Sequence, residues 1–194
     1  MGRSYHHGAL AEAMVDQALA EVREHGAEHV SLRSIAQALD VSPSAAYNHF
    51  ADKDALLRAV GECGLAGLDE RMARVLAAHP ADTVEAARAR FAGLGRAYLN
   101  FAIEETHLFR LVFSPVLSDY DDEPQDSGPY QKLNAALDDL DRFSLLRPGT
   151  RPGLDTLIWA ATHGMANLIV EGAMPPDSCD SFIDSLSALV MARE

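Results

Sequence analysis

The chain has little basic charge, few cysteines and no long apolar run, and each shortage excludes a class of protein. There are 16 Lys and Arg against 29 Asp and Glu, a formal net charge of −13, so bulk charge cannot be the basis of nucleic-acid binding. The two cysteines, Cys63 and Cys179, lack Cys-x-x-Cys spacing, and we interpret them as free thiols in a reducing cytoplasm. No apolar run approaches the roughly 20 residues of a membrane span, and the first residues lack the apolar core of a signal peptide. We therefore expect a cytoplasmic protein with no membrane partner.

The motifs of common enzymes and metal sites are also missing. The sequence contains no Gly-x-Ser-x-Gly elbow, no phosphate-binding glycine loop after a strand and no His-Glu-x-x-His zinc motif. The acidic stretch 119–126 fails as a calcium loop, because its sixth position is not glycine and its twelfth is Tyr130. We predict no enzymatic activity, no cofactor and no metal.

What the sequence does have is helical periodicity from end to end. Apolar residues recur every three or four positions, and no segment alternates as a strand would. This pattern predicts an all-α chain of about nine helices, with a solvated acidic loop over 114–129. Outside the segment 31–50, the helices are predicted at about 8–25, 53–78, 82–104, 106–113, 130–143, 152–172 and 178–192.

Residues 31–57 have the pattern of a helix-turn-helix, in which the second helix can enter the DNA major groove. Ser31 is a predicted N-cap, Asp40 stands at a sharp turn, and Ser42 with Pro43 starts the next helix. That helix carries small or polar residues suited to base edges and phosphates, namely Ser44, Ala45, Asn48 and His49. We expect Ala46, Tyr47 and Phe50 on its inward side. The pattern is also compatible with an ordinary helical corner whose polar face is simply solvated.

Residues 8–57 resemble the DNA-binding head of TetR-family transcriptional regulators. The resemblance rests on Ser31-Leu32-Arg33 with Ile35-Ala36, on Val41-Ser42, and above all on the run from Tyr47 through His49 and Lys53 to Leu57. It implies phosphate contacts from Tyr47, His49 and Lys53, and places Ser44, Ala45 and Asn48 near base edges. The complete set predicted to bind DNA is Arg33, Ser42, Ser44, Ala45, Tyr47, Asn48, His49 and Lys53. The chain departs from the family in having Asp40 instead of glycine, and Asn48 where arginine or lysine is frequent.

The second half resembles the TetR subgroup named for a Trp-His-Gly motif, through Trp159, His163 and Gly164. The resemblance implies an Ω-shaped homodimer that binds palindromic double-stranded DNA. It also implies repression relieved by a small-molecule effector. We expect a helix-turn-helix domain over 1–57, with helix four from about 53 as the connector, and a ligand-binding and dimerisation domain over 58–194.

Trp159 and His163 are four residues apart and therefore share one helix face. A flat apolar ring beside a titratable imidazole can form the wall of a ligand pocket. The predicted effector-binding residues are Phe101, Phe109, Phe113, Trp159, His163 and Met165. The same pattern also describes a packed core tryptophan beside a hydrogen-bonded histidine.

The last two helices carry more apolar residues than one intramolecular face needs. A symmetric four-helix interface between two copies explains the surplus, and a buried hairpin in a monomer is the alternative. The predicted dimer residues are Ile158, Leu168, Ile169, Phe182, Leu186 and Leu189.

The sequence as a whole predicts a ligand-responsive DNA-binding regulator of the repressor type. The alternative is a helical small-molecule carrier that does not bind DNA. An acidic head and the missing cation at Asn48 motivate that alternative.

Overall fold

The structure is a computed structural model that describes residues 4–114 and 127–192, with side chains from residue 9 onward. These residues form nine α-helices and a short 3-10 turn at Ala27–His29. None of the described helices is both long and apolar enough to cross a membrane. The predicted acidic loop lies mostly outside the described ranges. The helices are α1 (Ser4–His25), α2 (Leu32–Ala38), α3 (Pro43–Tyr47), α4 (Lys53–Ala78), α5 (Val84–Glu104), α6 (Thr106–Val112), α7 (Gly128–Arg142), α8 (Leu154–Val170) and α9 (Ser178–Val190).

The described residues divide into two compact units, and the division falls inside α4. The first unit holds 4–65 and 105–114, and the second holds 66–104 and 127–192. Helix α6 belongs to the first unit because it packs against α1 and against the first half of α4. A Cβ added to Gly64 would lie 2.6 Å from a methyl carbon of Val112. These units differ from the expected division 1–57 and 58–194, which remains a prediction about function.

The core of the first unit comes from one side of each of its helices. Its fully buried side chains recur at helical spacing along α1 and α4, and α2 and α6 supply the other walls. The four-residue connection 39–42 keeps α2 and α3 in direct contact. The main core residues are Met14, Ala18, Val22, Leu32, Ile35, Ala46, Leu56, Val60, Leu108 and Phe109.

The second unit is organised around α5, which packs against α7, α8 and α9. Phe91 of α5 lies in a core cluster with Leu137 of α7, Ile158 of α8 and Leu186 of α9. Between α5 and α7 the Arg90 guanidinium approaches the carboxylate of Asp139 at 2.8 Å, with both side chains largely buried. The described residues contain no strand, only an isolated bridge between Leu146 and Met191.

The predicted helices are confirmed in order, and their ends differ by a few residues. Helix α4 has the predicted bounds, whereas α1 begins at Ser4 instead of about residue 8. Helix α7 begins at Gly128, two residues earlier than predicted. The Ser127 hydroxyl accepts a hydrogen bond from the Tyr130 amide, and Pro129 is tolerated in the first turn. The loop prediction had treated that glycine and proline as breakers.

Candidate DNA-binding surface and effector site

Local hydrogen bonds fix the turn between α2 and α3. The Ser31 side chain accepts from the Ser34 amide at 3.0 Å, and the Ser34 hydroxyl bonds back to the Ser31 amide, so both ends of a capping box are present. Asp40 has φ 53°, in the left-handed region where a glycine would be unstrained. The Val41 amide then bonds the Ala36 carbonyl at 2.9 Å and closes the turn. Aspartate can therefore stand where the family usually has glycine.

Helix α3 exposes part of the predicted polar face, since Ser44 and Asn48 are exposed while Ala45 and His49 are half-buried. The Ser42 hydroxyl caps it by accepting from the Ala45 amide at 3.2 Å, and Pro43 opens the helix. Ala46 is completely buried and anchors the helix, whereas Ser44 and Asn48 are exposed. The helix has only five residues, and Asn48 is its C-cap.

Tyr47 was expected on the inward side of α3, and that expectation is wrong. Its side chain is 50 % exposed, because it lies about 100° around the helix from the buried Ala46. The hydroxyl is therefore available at the surface, next to Asn48. Phe50 is half-buried beyond the end of the helix.

The positive groups near α3 are few. Arg33 is exposed on α2, and His49 is half-buried just after the C-cap. The Lys53 ammonium donates a hydrogen bond to the Glu28 carbonyl at 3.0 Å. The Asp52 carboxylate accepts a hydrogen bond from the Ala55 amide at 2.8 Å. This cap fixes the start of α4, of which Lys53 is the first residue. A phosphate contact by Lys53 would replace or share the bond to Glu28.

A polar and aromatic cluster joins α5 to α8 in the second unit. The Tyr98 hydroxyl lies 2.8 Å from Nδ1 of His163, and the His163 ring stacks on Trp159 with centroids 5.7 Å apart. Tyr98 is buried, while Trp159 and His163 are half-buried. Burial raises the pKa of Tyr98, and a hydrogen bond with Trp159 opposes that rise. Burial lowers the pKa of His163, which keeps the imidazole neutral at pH 7.

The direction of the hydrogen bond between Tyr98 and His163 depends on the imidazole tautomer. When the phenol donates to Nδ1, the proton of the neutral imidazole resides on Nε2. In the other tautomer Nδ1–H donates to the phenol oxygen.

Helix α7 adds a second tyrosine to the same side of α8. The Tyr130 hydroxyl donates to the Asp155 carboxylate at 2.7 Å, and its ring meets Trp159 edge-on with centroids 6.3 Å apart. Desolvation raises the pKa of Tyr130, while the hydrogen bond from Tyr130 lowers the pKa of Asp155. Trp159 is therefore held between two tyrosines and one histidine.

The six predicted effector residues do not all belong to one unit. Phe109 and Phe113 lie on or just after α6 in the first unit, with ring centroids 4.9 Å apart. Phe101 and Met165 are buried in the second unit, where the Arg71 guanidinium lies 5.6 Å from the Phe101 ring centroid. Within the second unit, the described ring contact between predicted effector residues is that of Trp159 with His163. Tyr98 and Tyr130 were not singled out as site residues, because only the tertiary packing of α5 and α7 brings them to α8.

The predicted dimer residues separate into buried and exposed groups. Ile158, Ile169 and Leu186 are buried in the chain's own core, which leaves them little surface for a partner. Phe182 is half-buried, whereas Leu168 is 48 % and Leu189 62 % exposed. Leu157, which was not among the predicted residues, is 60 % exposed.

Many exposed residues of α8 and α9 are uncharged, while Asp180 and Asp184 of α9 are exposed and pair with Arg96. We define the α8–α9 face by the uncharged residues Leu157, Ala160, Gly164 and Leu168 on α8 and Ser181, Ser185, Ala188 and Leu189 on α9. Successive members on each helix are mostly three or four residues apart. A Cβ added at Gly164 would meet nothing within 4 Å. No other helix of the described chain therefore packs closely against Gly164.

Comparison with known proteins agrees with this architecture. Residues 14–60 match the model of the bacterial regulatory proteins of the tetR family, and residues 91–189 match that of the tetracyclin repressor-like C-terminal domain. None of the curated proteins matches the sequence.

Solved structures match almost the whole chain. A protein of unknown function from Rhodococcus sp. RHA1 is 26% identical, with a TM-score of 0.71 over 98% of this chain and 100% of that one. A TetR-family transcriptional regulator from Pectobacterium atrosepticum is 22% identical, with a TM-score of 0.73 and 98% of each chain covered. NalD, the secondary repressor of the MexAB-OprM multidrug efflux pump in Pseudomonas aeruginosa, is 17% identical, with a TM-score of 0.64 over 97% of this chain and 100% of that one.

The family models together span both the capped helix-turn-helix and the helices that carry Trp159 and His163. The chain therefore belongs to the TetR family, which consists of DNA-binding transcriptional regulators and not of enzymes.

Proposed function

We propose that the protein is a homodimeric repressor that binds a palindromic operator and is released by a small, mostly apolar effector. The observation that carries the proposal is the exposed face of α3, where Ser44, Tyr47 and Asn48 stand out from a capped and internally anchored helix. A recognition helix needs this combination of a fixed backbone and free polar side chains.

Placed contacts have to supply the binding, because the chain carries a net charge of −13. In the proposed complex Asn48 reads a base edge, for which an amide pairs best with adenine. Ser44 and Ala45 lie near base edges, and Ser42 caps the start of the helix beside the DNA backbone. Tyr47, His49, Arg33 and Lys53 contact phosphates. Lys53 exchanges its bond to the Glu28 carbonyl for a phosphate oxygen.

The α8–α9 face supports the dimer. Its leucines are exposed in the single chain, and Gly164 leaves room for a neighbouring helix to approach closely. A two-fold axis at this face pairs like with like, so no charged partner is required. Two heads on one palindrome must then stand 34–36 Å apart, or a multiple of that spacing.

The effector is proposed to bind beside Trp159 and His163. A flat apolar ligand can stack on the indole and accept a hydrogen bond from Nε2 of the neutral imidazole. Phe101 and Met165 supply apolar surface in the same unit. The ligand weakens DNA binding only if it prefers a conformation in which the heads are wrongly spaced.

Selection from random duplexes tests the function directly. We expect enrichment of a palindrome, and Lys53→Ala should weaken binding to all sequences and reduce the slope of log affinity against log salt by about one unit. Arg74→Ala, which removes an exposed cation of α4 in the second unit, is the matched control. Absence of an enriched palindrome would overturn the regulator, and an unchanged salt slope for Lys53→Ala would overturn its phosphate contact.

A further inference from the structure

The first unit contains a cleft that neither the DNA-binding surface nor the proposed effector site uses. It has a volume of about 270 Å³ and is lined by Gly26 and the 3-10 turn that follow α1, by α4 and by α6. This volume lies just below the roughly 300–1,000 Å³ of sites for drug-sized ligands, so a small metabolite fits it. Its lining residues are Gly26, Ala27, Glu28, Leu57, His107, Arg110, Leu111 and Ser114.

Both signs of charge line this cleft. Glu28 supplies a carboxylate, while Arg110 and His107 of α6 supply cationic or donor groups. The hydrogen bond from its own backbone amide lowers the pKa of Glu28, with smaller contributions from His29, His107 and Lys53 against the opposing effect of burial. The carboxylate is therefore ionised at neutral pH.

Backbone geometry places the Glu28 carboxylate at the cleft. Gly26 has φ +94°, and a Cβ added there would lie 2.6 Å from a carboxylate oxygen of Glu28. The glycine thus gives the side chain of Glu28 room to fold back over the end of α1. Between the charged groups the wall is apolar, with Leu57 of α4 and Leu111 of α6 both buried.

We propose that this cleft binds a small amphoteric molecule with an apolar side chain, which is the chemistry of an aliphatic α-amino acid. Its carboxylate pairs with Arg110 and His107, its ammonium group pairs with Glu28, and its side chain lies against Leu57 and Leu111. A simple organic acid would meet repulsion from Glu28, and a simple amine would meet repulsion from Arg110. A zwitterion satisfies both ends.

Isothermal titration of the full chain with L-leucine, glycine, 4-methylpentanoate and 3-methylbutylamine tests the assignment. Leucine should bind about tenfold more tightly than each of the other three, because only leucine has both charges and the apolar part. Glu28→Gln and Arg110→Gln should each weaken leucine binding about tenfold, and Glu28→Gln should improve binding of the acid. Both residues are exposed, so neither change removes core packing.

Glu24→Gln on α1 and Arg74→Gln on α4 are the charge-matched controls, and both should bind leucine as the parent chain does. The proposal is overturned if leucine gives no saturable heat at millimolar concentration, or if Glu28→Gln and Arg110→Gln leave its affinity unchanged. It is also overturned if the acid binds as tightly as leucine. No DNA is present in this assay, so its failure would leave the proposed repressor function untouched.

Discussion

The two units use their polar side chains in different ways. In the first unit Ser31, Ser42 and Asp52 are each hydrogen-bonded to a backbone amide three residues further along the chain, and the remaining polar groups of α3 face outward. In the second unit Tyr98 and Tyr130 bond to side chains of a different helix, 65 and 25 residues away in sequence. The caps that fix α2, α3 and α4 in the first unit are thus local, whereas the two tyrosines beside α8 in the second unit make tertiary hydrogen bonds.

The two units also differ in how many large apolar side chains they expose. The large exposed hydrophobic residue described in the first unit is Tyr47, on the proposed DNA surface, whereas the second unit exposes Leu157, Leu168 and Leu189 together with Met174. The first unit buries its apolar groups within one chain. The second unit leaves an apolar face that a second copy can cover.

The largest expected effect would come from charging that face. Leu157→Glu combined with Leu189→Glu would place four carboxylates in the proposed dimer interface, where they lose water without gaining partners. We expect the dimer dissociation constant to rise by at least about 100-fold, measured by sedimentation equilibrium, and affinity for the palindrome to fall with it.

Asn100→Glu combined with Ala77→Glu adds the same charge at exposed positions on α5 and α4 and should leave the dimer intact. If the variant with Leu157→Glu and Leu189→Glu still sediments as a dimer, the two copies contact each other through a different surface. The contrast between a self-contained first unit and an incomplete second unit would then be lost.

The loss of one cap should have a smaller and more local effect. Ser42→Ala removes the hydroxyl that accepts from the Ala45 amide and should cost about 1 kcal/mol. Because α3 has five residues, the change should appear as faster amide hydrogen exchange in α3, with little change in the second unit. Ser178→Ala, at the first position of α9, is the comparison, since the Ser178 side chain is not the N-cap. Uniformly faster exchange in both units would contradict the idea that Ser42 acts locally.

The difference between local and tertiary contacts also explains which features could be predicted from the sequence. The start of α2, α3 and α4 follows from Ser31, Ser42 and Asp52, since a cap and its amide are close in sequence. The Trp159–His163 ring contact follows from helical spacing alone. Both kinds of inference need only a few consecutive residues.

Other features required tertiary information. Leu157 and Ile158 are equally apolar neighbours, and only packing on α5 and α7 decides that Ile158 is buried and Leu157 exposed. Helix α6 could not be assigned to the first unit from its own pattern, because the partner groove depends on Gly64 in a different helix. The contact of Tyr98 with His163 could not be predicted either, because it depends on the packing of α5 against α8.

The smallest expected effect concerns proton binding inside the second unit. Burial lowers the pKa of His163 from its ordinary value of 6.5, so below pH 6.5 the unfolded chain takes up a proton that the folded chain refuses. Folding stability supplied by this neutral histidine should be complete above pH 6.5 and should decline as the pH falls toward the lowered folded pKa. His163→Gln removes the titration, so its melting temperature should lose less between pH 7.5 and 5.5 than that of the parent chain.

The imidazole resonances of His163 in the folded protein provide the direct measurement of this pKa. Only the unprotonated Nδ1 can accept the proton of Tyr98, so Tyr98→Phe should move the pKa of His163 upward. A pKa of 6.5 or above in the parent chain would contradict the lowering by burial, and a downward shift in Tyr98→Phe would contradict the proposed direction of the hydrogen bond. The Nε2–H donor assigned to the effector site would then be lost, because the imidazole proton would reside on Nδ1 and the ligand would meet an acceptor instead.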